Sequence, residues 1–134
     1  MTWDAPPAAA ACEPVPDSAA SVFGAALPVA VTYAGLLAVH GVEQGLLGPR
    51  EMPRLWDRHL LNCAVVAELI EPRPGTLLDL GSGAGLPGLV LAMVLPGTAV
   101  ILLEPMERRC RFLAECVTEP VSYTHLTLPT IYSV

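Results

Sequence analysis

The chain has 134 residues, a mass of 14.1 kDa and a formal net charge of −6, the size of one small domain. Apolar residues make up 53% and charged residues 15%, and all seven basic residues are Arg. This composition excludes a basic nucleic-acid module and collagen-like or coiled-coil architectures, so any RNA contact has to come from a local basic patch.

Residues 1–20 hold seven Ala and four Pro without an apolar period, and read as a disordered leader. Ser18 to Val42 carries no charge over 25 residues, long enough to cross about 30 Å of hydrocarbon as a helix. Gly24, Pro28, Thr32, Gly35, His40 and Gly41 interrupt it, Asp17 and Glu43 flank it, and no basic region precedes it. The expectation is therefore a buried helix rather than a membrane span or a signal peptide. Pro28 suits its first turn and Gly41 its end, with Val29, Tyr33, Leu36, Leu37 and His40 on one face. A second helix is expected from Pro53, with Leu55, Trp56, His59, Leu60, Cys63, Val66, Ala67 and Ile70 as its stripe and Pro72 and Pro74 ending it. Residues 21–74 thus form an N-terminal helical part.

From residue 75 the period changes. Thr76 to Leu80 is a short apolar run between Gly75 and Gly81, read as a buried strand; Gly85 to Leu95 reads as a helix, Ala99 to Glu104 as a second strand and Glu107 to Val117 as a second helix. On that last helix Phe112, Leu113 and Cys116 point inward, and Arg108, Arg111 and Glu115 outward. Strand–helix–strand–helix is the opening of a doubly wound α/β sheet. Residues 120–134 contain no Asp, Glu, Lys, Arg, Ala or Gly. Val-Ser-Tyr-Thr-His-Leu-Thr-Leu-Pro-Thr within them resembles a translated cloning or adapter sequence, so these residues are expected to be foreign, with a genuine C-terminal strand as the alternative.

The chemistry concentrates in Asp79-Leu80-Gly81-Ser82-Gly83-Ala84-Gly85-Leu86-Pro87-Gly88, between the first strand and its helix. Alternate glycines allow a tight turn and let a ligand lie against bare backbone, and the following helix offers free N–H groups. Glu104, 23 residues after Gly81, ends the second strand where a carboxylate can accept both ribose hydroxyls. Two ligands fit. Gly83-x-Gly85-x-x-Gly88 matches the dinucleotide fingerprint of an NAD(P)-binding oxidoreductase module, but leaves Asp79 to Ser82 without a purpose. Asp79-x-Gly81-x-Gly83-x-Gly85 matches the first motif of S-adenosylmethionine-dependent methyltransferases, with Asp79 near the amino group of the donor.

Trp56-Asp57-Arg58-His59-Leu60-Leu61-Asn62, the run Leu78 to Gly88, Leu103-Glu104-Pro105, Arg108-Arg109 and Arg111-Phe112-Leu113 together resemble the RsmG/GidB family. The resemblance covers about residues 21–119, and Gly85-Leu86-Pro87-Gly88 is its most specific part. It implies a Rossmann-like class I methyltransferase fold with N-terminal helices, of which residues 75–119 would be the first half, and a cytoplasmic enzyme that methylates N7 of a guanosine in 16S ribosomal RNA of the small subunit. It also implies donor contacts at Gly81 and Leu86 with Glu104 near the ribose; Asp79, Ser82 and Gly83 complete the expected cofactor set. Further donor-binding positions of the family have no counterpart after Glu119, so the chain by itself is expected to be inactive.

Guanine N7 bears a lone pair and no proton, so the reaction needs no general base and no catalytic residue is assigned. Arg50, Arg54 and Arg58 recur every four residues and offer a face for RNA phosphate, although such a face also suits plain solvation. Arg58 and His59 are the candidate RNA contacts, His59 being equally readable as a core histidine. Cys12, Cys63, Cys110 and Cys116 form no C-x-x-C, so neither a metal site nor a disulfide framework is expected, and reduced thiols in the cytosol follow.

Overall fold

The computed structural model describes residues 12–70, 75–118 and 130–133. Helix α1 (Ser18–Phe23) runs through a tight turn at Gly24–Ala26 into α2 (Leu27–Leu36), which widens into a π-helical turn over Leu37–Gly41. A second helical stretch is tight over Pro49–Arg54, wide over Leu55–Leu61, regular in α3 (Asn62–Val65) and tight again over Val66–Leu69. Then come β1 (Thr76–Leu80), α4 (Gly88–Val94), β2 (Ala99–Glu104), α5 (Glu107–Thr118) and β3 (Thr130–Ser133).

The three strands form one parallel sheet in the order β1-β2-β3, with Leu78 opposite Ile101 and Leu102 opposite Ile131. A small parallel sheet with helical crossovers makes this an α/β protein, as the alternation of periods implies. The core joins Ala19, Phe23, Val29, Tyr33 and Leu37 of the first helical stretch to Leu55, Trp56 and Leu60 of the second. Leu89 and Val90 of α4, Val100 and Leu102 of β2, and Phe112 and Leu113 of α5 complete it. Phe23 meets Trp56 edge to face at 6.1 Å, a favoured geometry for aromatic rings.

Ser18–Gly41 is long and apolar enough to cross a membrane by length and composition, with a mean hydropathy of 2.0. Its inward side supplies the N-terminal part of the core, which is the role expected of a buried helix.

The structure departs from the sequence expectations at several points. Part of the expected leader is held against the helices: Ala19 is buried in α1, and the Glu13 carboxylate accepts from the N–H groups of Trp56 and Asp57 at 2.8 and 3.0 Å. Residues 1–11 lie outside the described residues, as do Pro72, Pro74 and residues 119–129. The stripe of the second helix drifts because the stretch is wide and then tight, so Val66 is exposed where a regular helix would bury it. The first strand has the expected bounds but is not buried, with Leu78 52% and Leu80 70% exposed. Helix α4 begins at Gly88 rather than Gly85, because the glycine turn takes up three more residues. Within the segment expected to be foreign, Thr130–Ser133 pairs with β2, and Ile131 packs against the core.

Candidate functional site

The loop Gly81–Pro87 leaves the C-terminal end of β1 and is pinned at each step. Gly81 and Ser82 both donate their N–H to Leu103 O, at 2.8 and 3.1 Å, which carries the β1–β2 ladder past the end of the strand. The Ser82 hydroxyl donates to Asp79 O, and Gly85 N donates to Ser82 O at 2.8 Å. Gly81 has φ +71°, in the left-handed region that glycine enters without strain, and a Cβ built there meets no atom within 4 Å. The space above Gly81 is open. The opposite holds at Gly88, where a Cβ would overlap Asp79 Oδ2 and Leu102 Cδ2. That close approach lets Gly88 N donate to Asp79 Oδ2 at 3.1 Å.

Two carboxylates stand at the strand ends. Burial pushes the Asp79 carboxyl above its ordinary range; the Gly88 N–H and the Ser82 hydroxyl pull it back, and the Glu104 charge adds to the rise. Glu104 is 1% exposed. Its Oε2 accepts from Gly83 N at 2.8 Å, its Oε1 accepts from Met106 N at 3.2 Å, and Arg109 Nη1 lies 3.8 Å from Oε1. Glu104, expected as a ribose acceptor, therefore ties the glycine loop to the start of α5. Each oxygen keeps a further lone pair, but a ligand reaches them only after the loop shifts.

Five of the expected cofactor residues, Asp79, Gly81, Ser82, Gly83 and Leu86, thus belong to one pinned turn, and Glu104 bonds directly to it. Ser82 is 1% exposed, so its hydroxyl serves the turn and not the open face. Arg58 and His59 lie elsewhere, on the wide turn Leu55–Leu61. His59 Nε2 sits 2.8 Å from Glu51 Oε2 and Arg58 Nε 3.7 Å from the same oxygen. The His59 hydrogen bond lowers the Glu51 carboxyl from its ordinary value; desolvation opposes it, and the Arg58 charge adds a lesser lowering. Neither residue forms a hydrogen bond or ion pair with the glycine loop.

An open groove of about 820 Å³ is lined by Glu13, Ser18, Arg54, Asp57, Arg58 and Asn62, among others. It does not adjoin the glycine loop, and its four charged side chains balance. Arg108 and Arg111 are exposed on α5, where Arg111 pairs with Glu107 at 3.1 Å. Among the described residues no three His, Cys, Asp or Glu side chains cluster as metal ligands.

Sequence reasoning missed two residues. The Tyr33 hydroxyl donates to Ala84 O at 2.6 Å across the buried interface; the signal was a tyrosine on an otherwise apolar stripe, since a buried phenol needs a partner. Cys63 lies close enough to Asp79 for that charge, after burial, to raise its thiol. Both place the N-terminal helices against the glycine turn.

The first two strands of this parallel α/β sheet end in a glycine turn and two carboxylates, at the edge where open α/β sheets place their ligands. The profile of the family described as GidB: rRNA small subunit methyltransferase G matches residues 27–128. Similar proteins include the Ribosomal RNA small subunit methyltransferase G of Thermobifida fusca, 62% identical over 101 residues, with 75% of this chain and 42% of that protein covered. The protein of the same name from Salinispora tropica is 56% identical over 116 residues, covering 84% of this chain and 48% of its own length. That of Streptomyces coelicolor is 53% identical over 120 residues, covering 90% and 49%. The chain belongs to the GidB/RsmG family, and it spans 42–49% of the length of these relatives. All three carry a methyltransferase name, and nothing in them supports the nicotinamide reading.

Proposed function

We propose that the chain forms the donor-binding part of a cytoplasmic, S-adenosylmethionine-dependent methyltransferase of the Rossmann-like class I fold that methylates guanine N7 in 16S ribosomal RNA. The observation that carries this reading is the loop itself. Gly81 leaves open space above bare backbone, and the N–H groups of Ala84 and Leu86 have no hydrogen-bond partner among the described residues. Gly83 N is bonded to the carboxylate that would take a ribose. The resemblance to the family implies that such a loop binds the methyl donor.

S-adenosylmethionine supplies an electrophilic methyl group on a positively charged sulfur. Asp79 lies beside its amino group in this reading, Glu104 takes the ribose once the loop shifts, and Gly81 and Leu86 offer backbone. Gly83 and Ser82 shape the turn. Guanine N7 attacks with its own lone pair, so the protein need only hold nucleophile and methyl in line and exclude water. N7 lies on the deep major-groove edge of A-form RNA, so the target guanine has to be in a loop or flipped out. In this reading Arg58, 56% exposed at its side chain, would meet RNA phosphate, with His59 as its neighbour. Residues 120–134 stand apart in composition, but the family profile runs on to residue 128, so only residues 129–134 lie beyond it; resequencing past codon 119 decides where a foreign segment begins.

Titration calorimetry of the chain with S-adenosylhomocysteine and with NADH tests the donor assignment. Heat of binding is expected with the first alone. Binding of NADH in its place would overturn the reading.

A further inference from the structure

The glycine loop binds nothing by itself unless its free N–H groups are held in one orientation. Those of Ala84 and Leu86 flank a single peptide unit, Ala84–Gly85. That unit is gripped at both ends: its C=O accepts from the Tyr33 hydroxyl at 2.6 Å, and its N–H donates to Ser82 O at 2.8 Å. A peptide plane held at both poles resists rotation, which restrains the backbone on either side, where the two N–H groups lie.

Tyr33 is 1% exposed and sits on α2, 51 residues away in sequence. Its hydroxyl lies so close to the Gly85 Cα that a Cβ added there would come within 3.0 Å of it. The bare Cα of Gly85 leaves room for both the Leu89 side chain and the phenol. The π-helical turn that continues α2 makes a second contact, where His40 Nε2 lies 3.5 Å from Glu115 Oε1 of α5.

We infer that Tyr33 is a positioning residue of the methyl-donor site, acting through the Ala84 carbonyl to present the Ala84 and Leu86 N–H groups to the ligand. The inference rests on the donor reading above and gives the N-terminal helices a role in binding. Ring packing and hydroxyl bonding separate cleanly in Tyr33→Phe, which keeps the ring and removes only the donor.

The test measures amide exchange by NMR and S-adenosylhomocysteine affinity on the 134-residue chain and on Tyr33→Phe. The expected result is about fivefold faster exchange at Gly83, Gly85 and Gly88, the factor that one net hydrogen bond provides. Exchange at Val100 and Leu102 of β2 stays unchanged, and affinity falls about fivefold. A uniform loss of protection across loop and sheet, or unchanged loop exchange and affinity, overturns the inference. If the parent itself takes up no S-adenosylhomocysteine while the loop amides still respond, the donor reading fails and the Tyr33 bond is structural only.

Discussion

Strands β1 and β2 are written in nearly the same alphabet, Thr-Leu-Leu-Asp-Leu against Ala-Val-Ile-Leu-Leu-Glu, and each ends in a carboxylate region at the same edge. Their environments differ. In β2, with a neighbour on both sides, Val100 and Leu102 on one face are 1% and 0% exposed, and Ile101 and Leu103 on the other are half-buried. In β1, which ends the described sheet, Leu78 and Leu80, the register partners of Ile101 and Leu103, stand 52% and 70% open. An apolar run thus says that a strand forms, while the face a residue points to and the position of the strand in the sheet together decide how far it is covered.

The sharpest way to break this comparison is to cut the same side chain from both strands. Leu102→Ala is expected to cost about 2–5 kcal/mol, since it empties a fully buried position. Leu80→Ala is expected to stay within about 0.5 kcal/mol, as surface changes do. Urea unfolding monitored by circular dichroism gives both numbers, and equal losses would show that β1 is covered in solution. Replacing Leu78 and Leu80 by Ser is further expected to reduce self-association in sedimentation runs, because it removes an apolar face at an open edge.

Next in size is the contact between the strands and the helix that connects them. Gly88→Ala would drive a Cβ into Asp79 of β1 and Leu102 of β2 together, an overpacking worth about 1–3 kcal/mol. Gly81→Ala meets no atom and costs only the left-handed backbone, about 1–2 kcal/mol. The pair separates in function too: Gly81→Val is expected to abolish S-adenosylhomocysteine binding by filling the open space, whereas Gly88→Ala weakens binding only as far as it unfolds the chain. Full donor affinity in Gly81→Val would remove Gly81 from the site.

How much of this was legible in the sequence follows from what each feature depends on. The bounds of β1 and β2 were legible because Gly75, Gly81 and Pro96-Gly97 punctuate a change of period. The inward residues of α5, Phe112, Leu113 and Cys116, were legible for the same reason, as that helix is regular. The second helical stretch was not, because it changes width three times between Pro49 and Leu69 and no single period describes it. The cofactor turn was legible as a motif, but the use of each residue in it was not. Ser82 and Glu104 look like ligand groups in one dimension and are seen to hold the turn in three. Tyr33 was invisible to motif reading because its partner is a backbone carbonyl 51 residues on.

The carboxylates sharpen the comparison further. Glu104→Ala in β2 takes from the part-buried Gly83 and Met106 N–H groups their shared acceptor, at a cost of about 1–3 kcal/mol. It is expected to weaken S-adenosylhomocysteine binding together with stability. An unchanged denaturation midpoint would show that water replaces the carboxylate, and hence that the loop end is more open than its 1% exposure indicates.

Asp79 in β1 is expected to behave in the opposite sense, with the smallest effect on stability. Its carboxyl is held above the ordinary range chiefly by burial, so the native state binds its proton more readily than the unfolded chain does. For a carboxyl shifted this way, stability is fully present below the unfolded value and is lost as pH rises through the folded one. Ionised Asp79 is therefore a net burden on the fold at neutral pH. Asp79→Asn keeps an acceptor for Gly88 N and removes the charge, so it is expected to match or exceed the parent in thermal midpoint at pH 7. The parent should regain ground against it as pH falls through the raised carboxyl range. Donor affinity moves the other way, because a neutral amide cannot answer the charge of an amino group, and a severalfold loss of S-adenosylhomocysteine binding is expected at pH 7. A variant less stable than the parent at pH 7 would mean that the Asp79 charge is compensated within the fold, and β1 would then end in a structural carboxylate as β2 does.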